Sequence, residues 1–145
     1  MSTNVSDKMK RFNSLLSEMN EAYHNVALKL ALSDSAMQIL YVICNGGGEC
    51  LLSEIVQMSG ISKQTINSAM RKLENQGVVI TEDATARKKL VRLSEKGMQL
   101  VKNTVEKVID IENEIFASWT QEEWQDYFNL TKRYLTQFKE CAKEL

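Results

Sequence analysis

Apolar residues recur at helical spacing over the first and last thirds of the chain, with a brief strand-like rhythm between them. From Lys8 to Leu32, the positions Phe12, Leu15, Leu16, Met19, Tyr23, Val26, Ala27 and Leu30 follow one helix face. Ser33 then has the character of an N-cap, with Asp34 favourable in the first turn behind it. The helix it opens, DSAMQILYVIC, is apolar on several sides and predicts deep burial. NGGGEC, Asn45 to Cys50, breaks the pattern. Ser53 predicts the cap of a short helix through Met58, and Gly60 sits where a left-handed residue is wanted. Ser62 caps the helix that follows. Two short helices joined by a tight, glycine-containing turn describe a helix-turn-helix.

Beyond Gly77 the rhythm changes. VVIT and KLVRLS are β-rich and are separated by the polar EDATARK, which predicts a hairpin with a flexible tip. A hairpin directly after a helix-turn-helix is the wing of a winged helix. Ser94 then predicts one long helix with Val101, Val105, Val108, Ile115, Phe116 and Trp119 along its stripe. Thr120 and Glu123 form a capping box for a last helix. One side of that helix carries Trp124, Tyr127, Thr131, Tyr134, Phe138, Cys141 and Leu145. The expected fold is mainly α with a small β-hairpin wing. A winged helix-turn-helix over 33–93 is flanked by helical regions at 8–32 and 94–145, behind a flexible tail at 1–7. The aromatic stripes of the flanking helices predict packing and dimerisation, because a lone pair of long helices would expose them.

Composition narrows the function. At 145 residues, 43% hydrophobic and 26% charged, the chain reads as an ordinary globular domain, and the absence of proline favours long helices. No apolar run approaches the roughly 20 residues that span a bilayer, and the N-terminus has no signal-like apolar core. A cytoplasmic protein with no membrane partner is expected. Cys44, Cys50 and Cys141 form no CxxC pair and should be reduced. His24 is the only histidine, so neither a metal set nor a catalytic triad can be assembled, and no metal or cofactor is expected. P-loop, G-x-S-x-G and H-E-x-x-H motifs are absent, and the chain reads as no enzyme.

The stretch SKQTINSAMRKLENQG carries the candidate chemistry. Ile66, Ala69, Met70 and Leu73 share one face, while Gln64, Ser68, Arg71 and Asn75 lie opposite, flanked by Asn67 and Lys72. Amides can pair with adenine edges, arginine with guanine, and hydroxyls with base or phosphate. Residues nearest the start of such a helix enter a major groove most readily. Between Ser62 and Leu93 there are seven cations and three acids, a local +4 in a chain of net charge -1, so the remainder carries -5. Positive charge is concentrated where phosphates would be met. The candidate DNA-binding residues are Ser62, Lys63, Gln64, Thr65, Asn67, Ser68, Arg71 and Lys72 on the helix, and Arg87, Lys88 and Lys89 on the hairpin. Double-stranded DNA is the partner they imply. A winged-helix scaffold that binds protein instead is the alternative.

LSDSAMQIL, SEIVQMSGISKQTINSAMRKLENQGVV and RKKLVRLSEKG, in that order and spacing, resemble the MarR family of winged-helix transcriptional regulators. The resemblance runs from about Phe12 to the C-terminus. It implies a homodimer with intertwined first and last helices, reading helices in two adjacent major grooves, and wings at the neighbouring minor grooves. It also implies repression at pseudo-palindromic operators and release by a small aromatic or anionic effector. By position, Gln64, Thr65, Asn67, Ser68 and Lys72 fall where the family touches DNA, and Arg87 falls on its wing-tip arginine. Ser68 stands where many members have an arginine, and Thr85 replaces the aspartate that often steadies the wing arginine. A different target and a softer wing are therefore expected.

Tyr23, His24 and Tyr41 are the candidate effector-binding residues. Met19, Met37, Met58 and Met70 read as core filler or as adaptable pocket lining. Cys44 is expected in the core, Cys50 more accessible beside the glycines, and Cys141 on the terminal stripe. A cysteine-based redox switch would need a cation to lower a thiol pKa, and none is evident in the sequence.

Overall fold

Hydroxyl caps set four helix starts where the sequence predicts them, at Ser33, Ser62, Ser94 and Thr120. The computed structural model describes residues 4–85 and 87–145. Its elements run α1 (Asp7–Lys29), α2 (Asp34–Asn45), β1 (Glu49–Leu51), α3 (Leu52–Ser59) and α4 (Lys63–Asn75). They continue with β2 (Val79–Thr85), β3 (Lys88–Leu93), α5 (Glu95–Asn103), α6 (Val105–Ser118) and α7 (Gln121–Ala142). Helices dominate, and the three strands form one antiparallel sheet in the order β1-β3-β2. This is the winged-helix class the sequence predicts. Residues 1–3 of the expected tail lie outside the described residues, and helix already begins at Asp7, capped by Ser6.

The differences from expectation each have a local cause. α1 stops at Lys29 rather than running to Leu32, with no glycine to mark the stop. Ala31 takes a left-handed φ of 56°, and the N–H groups of Ala31 and Leu32 return to the carbonyls of Leu28 and Ala27. The closing pattern is a Schellman motif built on alanine. Ser53 is not the cap of α3; the Glu54 carboxylate accepts the Leu51 N–H at 3.3 Å instead. The residues before it form β1, which pairs Cys50 with Val91 and turns the hairpin into a three-stranded sheet. The wing strands also reach into EDATARK, through Thr85 and from Lys88, with a register irregularity between Asp83 and Thr85. Ala86 lies outside the described residues.

The long helix expected from Ser94 is broken at Thr104. That residue is buried, and its hydroxyl donates to the Leu100 carbonyl at 2.7 Å. A buried hydroxyl needs a partner, and the i−4 carbonyl it takes competes with the helix's own ladder. The Thr104 N–H then reaches only Val101, at 3.2 Å, and φ moves to -131°.

Two compact units result, one ending at Glu106 and one comprising Lys107–Leu145. The first is centred on Ile39, Leu40 and Ile43 of α2, joined by Ile55, Ile66, Val91 and Val105, all fully buried. Met37 and Met70 join this core, whereas Met19 and Met58 are exposed and are not core filler. In the second unit, Trp119 meets Phe116 and Tyr127 edge-on, and Trp124 stacks on Phe128. α7 buries none of its residues. Among the described residues, no single helix is long and apolar enough to cross a membrane.

The start of α5 grips the segment that follows α4. The Ser94 N–H and hydroxyl both donate to the Val78 carbonyl, at 3.0 and 3.1 Å, and the hydroxyl also reaches Gly77 O. Lys96 Nζ donates to the Gln76 carbonyl at 2.6 Å, placing a cation at the C-terminal end of α4. Gly97 allows this approach, since a Cβ there would fall 2.0 Å from Val78 O. Glycine and alanine should therefore exchange their usual merits at two sites. Gly97→Ala should destabilise by about 1–3 kcal/mol despite its better helix propensity. Ala31→Gly should stabilise by about 0.5–1 kcal/mol by relieving the left-handed alanine. Urea denaturation of the two variants checks both signs.

Candidate nucleic-acid interface

α4 is held by Ile66, Met70 and Leu73, which are 0%, 4% and 3% exposed. Ala69 is half-buried beside them. With that face inward, Ser62, Lys63, Gln64, Thr65, Asn67, Ser68, Arg71 and Lys72 are all exposed. Ser62 is first of all a cap: its Oγ accepts the Thr65 N–H at 3.3 Å and donates to Thr65 Oγ1 at 2.8 Å. With Ser62 Oγ as its donor, Thr65 Oγ1 keeps its own proton and one lone pair for an outside partner.

Two grooves flank α4 and divide its polar residues. The first, about 560 Å³, runs against Ser33, Ser35 and Ala36 and holds Gln64, Thr65, Ser68 and Lys72. The second, about 290 Å³, faces the wing and holds Asn67, Arg71 and Glu74 opposite Thr81 and Lys89. The serines at the start of α2 thus stand beside the polar face of α4. Sequence reasoning missed them as neighbours, because nothing in local spacing brings Ser35 near Ser68.

On the wing, Arg87 occupies the turn, and Lys88 and Lys89 open β3 opposite Thr85 and Asp83. All three cations are exposed. Arg92 differs: its Nη2 and Nε lie 2.8 and 2.9 Å from Glu82 Oε1. Among the described residues, Lys63, Arg71, Lys72, Arg87, Lys88 and Lys89 have no ion-pair partner. Six unneutralised cations on one helix face and the adjoining wing form a surface suited to polyanions. Sequence reasoning also missed the bond from Thr81 Oγ1 to Glu74 Oε1, 2.6 Å long, which ties β2 to α4. Its signal was weak, a threonine and an acid seven residues apart.

The effector candidates sit elsewhere. Tyr23 and His24 are on α1, and Tyr41 is half-buried on α2. His24 Nδ1 lies 2.8 and 3.0 Å from the two Asp34 oxygens, so the imidazole ties α1 to the first turn of α2. Neither groove beside α4 is lined by these three residues. Among the described residues, no group of three or more His, Cys, Asp or Glu could hold a metal ion.

The cysteines reverse the expected order. Cys50 is buried, because its place in β1 turns it toward the core, whereas Cys44 near the end of α2 is half-buried and Cys141 is exposed. Burial, and then the Glu106 carboxylate, push the Cys44 thiol up to about 11. Burial, and then Glu54, push Cys50 up to about 11 as well. Both are poor thiolates at neutral pH, which argues against a redox switch at either.

The three-stranded wing behind a helix-turn-helix defines the class as a winged-helix protein. Residues 32–89 match the model of the MarR family. The match covers this segment, and over the whole chain the fold is the one MarR-family structures share. Among solved structures, a MarR family regulator from Neisseria meningitidis superposes with a TM-score of 0.83 at 16% identity, covering 96% of this chain and 99% of that one. AbsC, a MarR family transcriptional regulator from Streptomyces coelicolor, gives 0.72 at 14% identity, covering 96% and 99%. BpsR from Bordetella bronchiseptica, whose DNA binding is regulated by 6-hydroxynicotinic acid, gives 0.62 at 19% identity, covering 86% and 98%. Comparison with curated protein sequences finds no match.

The raised thiols generate a pH prediction. A group that keeps its proton more tightly when folded contributes stability below its unfolded pKa, here 9.0, and loses it as pH rises toward about 11. The urea midpoint should fall between about pH 8 and pH 10.5, and the fall should shrink in a Cys44→Ala, Cys50→Ala double variant. An equal fall in both proteins would contradict the assigned burial.

Proposed function

We propose that this chain is a sequence-specific double-stranded DNA-binding regulator, acting as a homodimeric repressor at a pseudo-palindromic operator. The observation that carries the reading is the pairing of an amide- and hydroxyl-bearing α4 face with six exposed cations clustered on that helix and the adjoining wing. Phosphate contacts position such a protein, and base contacts specify its site. Gln64, Thr65, Asn67 and Ser68 supply the base-reading groups. Lys63, Arg71, Lys72, Arg87, Lys88 and Lys89 neutralise phosphates, with Arg87 leading at the wing. Ser68 offers a hydroxyl where a bidentate arginine would select guanine, so the operator is expected to differ from those read by arginine-bearing relatives.

Homodimerisation is supported by the apolar residues that α1 and the Lys107–Leu145 unit leave exposed. Phe12, Leu15 and Leu16 stand out on α1, and Phe116, Leu135 and Phe138 in the second unit. Patches of this kind mark association surfaces. A small aromatic or anionic effector is proposed by analogy with BpsR, with Tyr23, His24 and Tyr41 as its candidate contacts. To release DNA it must bind the DNA-incompetent arrangement more tightly than the competent one. A regulator of this kind works in the cytoplasm, where its DNA lies.

The test is a gel shift with DNA from upstream of the chain's own gene, at two salt concentrations and with excess competitor DNA. Preferential binding that weakens steeply with salt is expected. Arg87→Ala should weaken binding to all sequences and flatten the salt slope by about one per protomer. Asn67→Ala should instead change which sequence is preferred, by about 1–3 kcal/mol at the base it reads. No preference over competitor would leave a winged-helix scaffold for protein partners as the reading.

A further inference from the structure

We propose that Thr81 is a positioning residue that holds the wing at a fixed angle to the reading helix by donating to Glu74. The inference rests on the DNA-binding reading above. The wing is anchored at its base, where Val79, Val91 and Leu93 are 3%, 0% and 7% exposed, and along β3 by pairing with β1 as far as Leu90. Thr81 is half-buried, whereas Glu82, Asp83, Ala84 and Thr85 beyond it in β2 are exposed. The cations that would meet phosphate, Arg87, Lys88 and Lys89, all lie beyond it.

Two polar contacts act on this outer part, and they do different things. Arg92 and Glu82 join β3 to β2, so they stiffen the hairpin within itself. The 2.6 Å bond between Thr81 Oγ1 and Glu74 Oε1 joins the hairpin to the last turn of α4. Among the described residues it is the only side-chain hydrogen bond between α4 and either wing strand. It closes the inner end of the groove whose walls carry Asn67 and Arg71 on one side and Lys89 on the other. The wing is therefore held through β3 by β1, and among the described residues its β2 edge is tied to α4 by this one side-chain bond.

The chemistry of the latch fits this role. A carboxylate beside Arg71 and Lys89 repels an approaching phosphate, so its charge opposes DNA binding there. Its contribution must come from the bond. Hydrogen bonds to an ionised acceptor are shorter and stronger than neutral ones, and this one has that length. A latched wing brings Arg87 to the duplex without first losing the freedom of a swinging hairpin, which is where preorganisation adds affinity.

A double-mutant cycle on operator affinity reads this coupling. In the wild-type background, Arg87→Ala should weaken operator binding by about tenfold. In a Thr81→Val background, which keeps side-chain volume and strand propensity, the same change should cost under about threefold. Thr81→Ser, which keeps the donor, should retain the full Arg87 effect, and Glu74→Gln, which keeps a neutral acceptor, should retain most of it. Glu74→Leu removes the acceptor from the other side and should reproduce Thr81→Val. A merely structural role would lower melting temperature and leave the Arg87 effect at its full size. Operator binding with an Arg87 effect unchanged by Thr81→Val and Glu74→Leu overturns this inference alone. Absence of operator preference in the wild type overturns the DNA-binding reading and the inference with it.

Discussion

The rotation of α4 about its own axis decides which side chains reach solvent, and it is set by Ile66, Met70 and Leu73 packing into the core. Fully burying such a side chain is worth about 1.5–3 kcal/mol. Turning the helix by one residue's angle would expose part of that surface and bury amides or a lysine without partners, a second penalty of the same sign. The apolar face thus does more than attach the helix; it presents Gln64, Thr65, Asn67 and Ser68 outward as a set. The far end is held separately, by Ser94 and Lys96 on the Gln76–Val78 carbonyls. A helix fixed in rotation and anchored at its C-terminal end can carry a geometry-dependent pattern of donors and acceptors.

Electrostatics follows the same division. Exposed ion pairs contribute roughly 0–1 kcal/mol each, so leaving six cations unpaired costs little stability. Those same charges are worth far more against a phosphate chain, where each neutralisation releases counterions. Arg92, nearest the buried base of the wing, is paired with Glu82 and serves the hairpin's own rigidity, while the outer cations are left free of such pairs. The softer wing expected from Thr85 must be weighed against this pair and against the Thr81–Glu74 bond, neither of which depends on position 85.

Much of this architecture was legible because its signals are local. Serine and threonine caps at Ser33, Ser62, Ser94 and Thr120, and the left-handed Gly60 with φ of 68°, act within one turn of chain. The face division of α4 follows from helical periodicity alone. Features that depend on distant partners were not legible. β1 is three residues long and exists because Cys50 finds Val91 across the sheet, which also explains why Cys50 and not Cys44 is the buried thiol. The break at Thr104 is set by burial of one hydroxyl, and the stop at Ala31 by a left-handed turn that most sequences mark with glycine. For the candidate site, residue types were readable and their grouping was not. Only the fold separates Gln64, Thr65, Ser68 and Lys72 from Asn67 and Arg71.

On the proposed reading, the outer face of α4 lies in a major groove while the wing follows the adjacent backbone, once per protomer of a dimer. Hydroxyl-radical footprinting of the protein on the DNA upstream of its own gene tests this most directly. Two symmetric protected segments are expected, with centres about one helical turn, 10–10.5 base pairs, apart or a multiple of that, each flanked by a protected minor-groove edge. A single unpaired segment, or protection spread evenly along the fragment, would contradict it.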